Sequence, residues 1–96
     1  MGRFLVLWEI IEDRIPASPQ EIATGWSALL ELTKEDLKKG KVKIWGVFAG
    51  ELRGFSIFEG TELEVAKNLT KYAPYIRFQV NPFLSTSEAE EVIKSL

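Results

Sequence analysis

Histidine and cysteine are both absent from this 96-residue chain. Without histidine it lacks the side chain that most often serves as general base, metal ligand or axial haem ligand. Without cysteine, disulfide frameworks, thiolate zinc sites and sulfur nucleophiles are excluded. The residues therefore imply no metal and no cofactor. No apolar run reaches the ~20 residues that a membrane span requires, and no signal-peptide layout stands at the N-terminus. The expectation is a cytoplasmic protein with no membrane partner. A phosphate-cradling loop is missing as well, since "GELRG" at Gly50 to Gly54 has neither the lysine nor the following helix of a P-loop.

One sign of charge is not concentrated anywhere on a large scale. The net charge is −2 with the two signs interspersed, which argues against a nucleic-acid partner, because phosphate binding needs a massed basic surface. The one basic run, "KKGKVK" at Lys38 to Lys43, straddles a helix end and a strand start, where lysines complement the negative end of the helix dipole. "FAGELRGFSIF" has the basic and aromatic mixture of an RNA-binding strand, but its counterpart motif is missing.

What the chain does have is a globular composition, with 46% hydrophobic, 27% charged and 11% aromatic residues. Its length fits one domain spanning residues 1–96. "RFLVLWEI" reads as a first strand. "EDRIPASP" is a connection, closed by Ser18 as N-cap, Pro19 at the first helical position and Glu21 completing an S-x-x-E capping box. Ile22, Trp26, Leu29, Leu30 and Leu37 then form a helical stripe that Gly40 terminates. "KVKIWGVF" and "LRGFSIFE", joined by "AGE", predict a hairpin. Thr61 and Glu64 box a second helix, with Val65, Leu69 and Tyr72 on its inner face and Pro74 at its end. "YIRFQV" predicts a fourth strand, and Ser85 with Glu88 caps a short third helix carrying Ala89, Val92, Ile93 and Leu96.

The order β-α-β-β-α-β plus a terminal helix is the split-βαβ pattern. The predicted class is α+β, a ferredoxin-like four-stranded antiparallel sheet with both long helices on one face. The other face would then meet water, yet its residues are not polar enough. The first strand is apolar on both sides: Phe4, Val6, Trp8 and Ile10 on one, Leu5 and Leu7 on the other, with Glu9 as the interruption. By strict alternation the second strand sets Val42, Ile44 and Phe48 against Trp45 and Val47, and the third sets Phe55 and Ile57 against Ser56 and Phe58. An apolar sheet face of this size marks a partner surface. The simplest partner is a second copy, as two-fold dimers are the commonest assemblies.

The stretch "KIWGVFAGELRGFSIFEG", a capped helix and "PYIRFQVNPFL" together resemble the dimeric α/β-barrel proteins, and within them a muconolactone-isomerase-like branch. The residues that carry the resemblance are W-G-x-F-x-G at Trp45, Gly46, Phe48 and Gly50, and F-x-V-x-P at Phe78, Val80 and Pro82. It spans nearly the whole chain, and its motifs are architectural rather than catalytic. It implies a homodimer closed through the sheet faces and an internal barrel pocket, with the loop from Glu12 to Pro19, Ile15 included, as a candidate roof.

Arg77 and Gln79 share a parity that points into such a barrel, where an arginine fork suits a carboxylate. Ser56 adds a hydroxyl and Trp45 an aromatic wall, so the candidate ligand-binding set is Arg77, Gln79, Ser56 and Trp45. Glu9 is the candidate catalytic residue, because a carboxylate half-buried in an apolar interior acquires a raised pKa; the other readings are a solvated strand end for Glu9 and a salt bridge to a glutamate across the dimer for Arg77. Tyr72 and Tyr75 flank Pro74 and read as packing. Two functions follow. One is a homodimer that binds a small organic molecule without chemistry of its own. The other is a cofactor-independent isomerase or decarboxylase-like enzyme, with Glu9 moving a proton and Arg77 holding a carboxylate.

Overall fold

The computed structural model describes residues 2–11 and 18–96. The elements are β1 (Gly2–Ile10), α1 (Pro19–Lys38), β2 (Val42–Val47), β3 (Arg53–Gly60), α2 (Glu62–Thr70), β4 (Ile76–Phe83) and α3 (Thr86–Lys94). The strands form a four-stranded sheet in the order β2-β3-β1-β4, with every neighbouring pair antiparallel. The described residues are thus α+β with three helices, an arrangement compatible with a ferredoxin-like fold. None of the described helices is long and apolar enough to cross a membrane. The connection expected at residues 12–17 lies outside the described residues.

Helix ends fall where the capping chemistry puts them. Thr61 with Glu64 and Ser85 with Glu88 each close a full capping box. At α1 the Ser18 hydroxyl accepts the Glu21 N–H at 3.1 Å, the forward bond of the box. In both complete boxes the cap's backbone N–H and hydroxyl hold the glutamate carboxyl below the usual carboxylate range. Gly40 sits just past α1 at φ +74° and Gly50 in the hairpin at φ +78°, backbone that side-chain-bearing residues resist.

The core lies on one side of the sheet. Phe4, Val6, Val42 and Phe58 meet Val65 and Leu69 of α2, with Trp45 and Phe78 against them. On this side Val6 faces Ser56 and Val80 across the ladders, and Trp8 faces Gly54 and Phe78. The opposite, open side carries Leu5, Leu7, Phe55 and Ile57, all half-buried, flanked by Ile44, which is 51% exposed.

Strict alternation along β2 fails at one point. Val42 pairs with Phe58, yet Ile44 pairs with Ile57, so two steps on β2 match one on β3. Lys43 is the extra residue of a β-bulge, which re-aims everything after it. Val42 therefore joins Trp45 and Val47 on the covered side, while Ile44 moves to the open one, where Phe48 also stacks on Phe55 at 6.0 Å. β4 runs further than the sequence pattern predicts, through Pro82. It is an edge strand, and an edge tolerates a residue that cannot donate to a ladder.

Gly54 is fixed by contact rather than by dihedral angle. A Cβ there would stand 2.1 Å from the Gly46 carbonyl oxygen, 2.7 Å from Trp8 Cζ2 and 2.8 Å from Val47 Cα. Two of these atoms are backbone and cannot rotate away. Gly54→Ala is therefore expected to destabilise the fold by about 2–4 kcal/mol through overpacking. A urea midpoint matching the parent would contradict this account of the β2–β3 approach.

Candidate functional site

Helix α1 does not lie flat on the sheet. Only Thr33 and Asp36 of its residues are buried, while Trp26, Leu30 and Leu37 of the stripe are each 38% exposed. The space left between α1 and the covered side of the sheet is a cavity of about 410 Å³. This falls in the size range of small-molecule sites, roughly 300–1,000 Å³. Its roof is the α1 stripe around Ala23, Trp26 and Leu30, and its floor is Trp8, Trp45, Ser56 and Phe58 of the sheet.

The floor is built from a stacked pair. The Trp8 and Trp45 rings lie 5.4 Å apart and within 9° of parallel, a contact worth about 0.5–1.5 kcal/mol beyond its buried area. The bulge at Lys43 turns Trp45 to this side, and the bare backbone of Gly54 gives the Trp8 ring its room. Trp8 Nε1 is buried and has no hydrogen-bond partner among the described residues. Stacking, not a hydrogen bond, holds this indole, at a desolvation cost of about 1–3 kcal/mol.

One corner of the cavity is polar. Tyr72 follows α2, and its hydroxyl donates to Asp36 Oδ2 at 3.0 Å; Lys71 Nζ donates to Asp36 Oδ1 at 2.6 Å. Thr33 Oγ1 lies 3.1 Å from the Leu29 carbonyl and 3.4 Å from the Tyr72 hydroxyl. The shorter, better contact takes the single threonine proton. Both hydroxyl protons are thus committed away from the cavity, and the corner presents oxygen lone pairs. Burial, and then the Asp36 carboxylate, push the Tyr72 hydroxyl up to about 12, against the opposing effect of Thr33. Tyr72 is the only ionisable side chain among the described lining residues, and it is a neutral phenol at physiological pH.

The residues singled out from sequence divide across the sheet. Trp45 and Ser56 pair in register and both line the cavity. Arg77 and Gln79 project from the open side, opposite Glu9 and Leu7. Glu9 and Arg77 do come together, with Arg77 Nη1 donating to Glu9 Oε1 at 3.1 Å in a shallow surface groove shared with Glu51 and Arg53. Their side chains are 47% and 68% exposed, so the pair contributes ~0–1 kcal/mol. Tyr75 is exposed and takes no part in the cavity. Among the described residues no group of acidic side chains is placed to hold a metal ion.

Sequence reasoning missed Thr33 and Asp36. Both occupy stripe positions of α1 where an apolar residue is the rule, and that interruption between Leu30 and Leu37 is the signal that marks them. Compared with protein-family models the chain matches none, and no curated protein matches it either.

A pH dependence follows from Tyr72. Its folded-state pKa lies above the ordinary value of 10.0, so its contribution to stability is complete below pH 10 and is lost as pH rises toward about 12. Thermal unfolding followed over that window should show a falling Tm in the parent protein and a smaller fall in Tyr72→Phe. Equal slopes in the two proteins would remove Tyr72 from this role.

Proposed function

We propose that this chain is a small-molecule binding protein without catalysis of its own, and that its ligand is an uncharged, planar, largely apolar organic molecule carrying one hydrogen-bond donor. The observation that carries the reading is the cavity under α1: apolar walls, an aromatic floor, and a corner that offers only acceptors. A carboxylate or ammonium ligand would meet no opposite charge among the described lining residues and would bear the desolvation cost unpaired. The enzyme reading is weaker because Glu9 and Arg77 lie across the sheet from the cavity, bonded to each other. Proton transfer needs the base within hydrogen-bond reach of the substrate.

The same reading includes a homodimer closed through the open side of the sheet, in the manner of the dimeric α/β-barrel proteins and their muconolactone-isomerase-like branch, and a cytoplasmic setting. The motif residues support the likeness. Trp45 is half of the stacked floor, Gly46 is packed against Phe55, and Phe78 lies edge-on to Tyr72 at 6.0 Å. Support for the dimer comes from Leu5, Leu7, Phe55 and Ile57, a half-buried apolar field on the side of the sheet away from the α2 core and the α1 cavity.

Two measurements test this. Calorimetric titration should show 2-naphthol binding and 2-methoxynaphthalene, which lacks the donor, binding about tenfold more weakly, the worth of one hydrogen bond. Ala23→Trp, which fills the roof, should abolish both. Titrations that do not distinguish the parent from Ala23→Trp would move the site elsewhere. For the dimer, sedimentation at micromolar concentration should give twice the chain mass, and Leu7→Lys should give the monomer. A monomeric parent would overturn that part.

A further inference from the structure

Helix α3 buries none of its residues against the rest of the described chain. It has no buried residue, and Val92, Ile93 and Leu96 are 50%, 67% and 98% exposed. Nine residues are too few for a helix to stand alone in water, where lengths under ~12–15 residues are marginal. Yet both of its ends are finished. Ser85 and Glu88 close the first turn, and the Ser95 hydroxyl donates to the Val92 carbonyl at 2.6 Å. Its first turn is also tied to the sheet. Glu88 Oε1 accepts from the Ser85 N–H and from Arg3 Nη1, each at 2.9 Å. Arg3 shares the open side of the sheet with Leu5, so the anchor holds the start of α3 on that side. Phe83 and Leu84, 37% and 57% exposed, carry the apolar surface from the sheet toward the helix. The molecule is correspondingly long, 55 × 25 × 20 Å, with a radius of gyration of 15.6 Å against about 12.5 Å for a compact chain of this length.

We propose that α3 is an arm that clasps a second copy of the chain; this rests on the dimer reading above and adds to it the axis and the contacts. Area and charge both choose that occupant. Four strands at ~4.8 Å spacing and about eight residues at ~3.3 Å give a sheet footprint on the order of 500 Å². Counted on both copies, this reaches the ~1,000 Å² that a specific interface needs only at its lower limit, and the arm extends it. The first strand's N-terminus, the ends of β3 and β4 and the start of β2 all lie at one end of the sheet. A two-fold axis parallel to the strands, between β1 and β3, lays the β4 edge of one copy over the β2 edge of the other at that same end. Glu90 and Glu91 of α3 then approach Lys41 and Lys43 of the second copy, and Val92, Ile93 and Leu96 approach its Ile44. Within the chain Lys39 already meets Glu35 and Lys43 meets Glu59, at 3.7 and 3.8 Å, so the pair of glutamates supplies the opposite sign to Lys41 and adds a second partner for Lys43. An axis across the strands would instead bring α3 to the end where Glu9 and Arg77 already neutralise each other.

The test uses the full chain in sedimentation equilibrium. Val92→Ser, Ile93→Ser and Leu96→Ser together should raise the dimer dissociation constant about ten- to a hundredfold. Lys41→Glu with Lys43→Glu should weaken the dimer in the same direction, and adding Glu90→Lys with Glu91→Lys should restore it. A dimeric parent whose dissociation constant is unchanged by the serine variant would overturn the arm and leave the sheet dimer standing. Lysine variants that are not rescued by the reversed glutamates would overturn the axis. A monomeric parent would end both readings.

Discussion

Trp8 lies flat on Trp45, and the covered side of the sheet is arranged around that stack. The contact requires three separate features of the chain to agree. Gly54 leaves space where a methyl group would collide with the backbone of β2. The bulge at Lys43 turns Trp45 inward. The register of β1 on β3 sets Trp8 directly opposite Gly54. Above these two indoles Trp26 and Leu30 of α1 stay partly exposed, and both rings line the gap beneath the helix. The packed core under α2, built from Val65 and Leu69 on Phe4, Val6 and Phe58, adjoins it, with Trp45 against the core and Phe58 and Leu69 lining the cavity as well.

The polar corner follows from the same geometry. Where α1 does descend toward α2, its contact residues are Thr33 and Asp36 rather than aliphatic ones. A buried carboxylate is tolerable only with partners, and Asp36 has two, the Lys71 ammonium and the Tyr72 hydroxyl. That small network ties the two helices together at one end of the cavity. The other end, around Trp26 and Leu30, has no comparable tie among the described residues. Helix α1 is thereby pinned at its C-terminal half and loosely covered at its N-terminal half.

Much of this was legible in the residues and some was not. The element order, two complete capping boxes, the glycine stop after α1 and the inner face of α2 are all local signals, and local signals survive folding. The apolar second face of β1 was equally visible, because alternation is a property of neighbours in sequence. What the pattern hid was long-range. A one-residue bulge reverses a strand's faces without any unusual residue to announce it, since Lys43 is an ordinary strand-edge side chain. The cavity was hidden for a related reason: an apolar stripe shows which side of a helix seeks cover, not how closely the cover fits. Of the site residues read from sequence, Trp45 and Ser56 reached the cavity while Arg77, Gln79 and Glu9 went to the open side. Their division reflects the pleat, which separates alternate side chains by the thickness of the sheet.

The two outer strands carry a consequence beyond the site. An unprotected sheet edge is a template on which further chains can add, one strand after another, into fibrils. Here β4 carries Pro82, which withholds a backbone donor, and β2 is broken by its bulge at a lysine. Both lateral routes of growth are blunted, while the greasy face between them is left open. A chain with this arrangement disfavours endless addition at its rim.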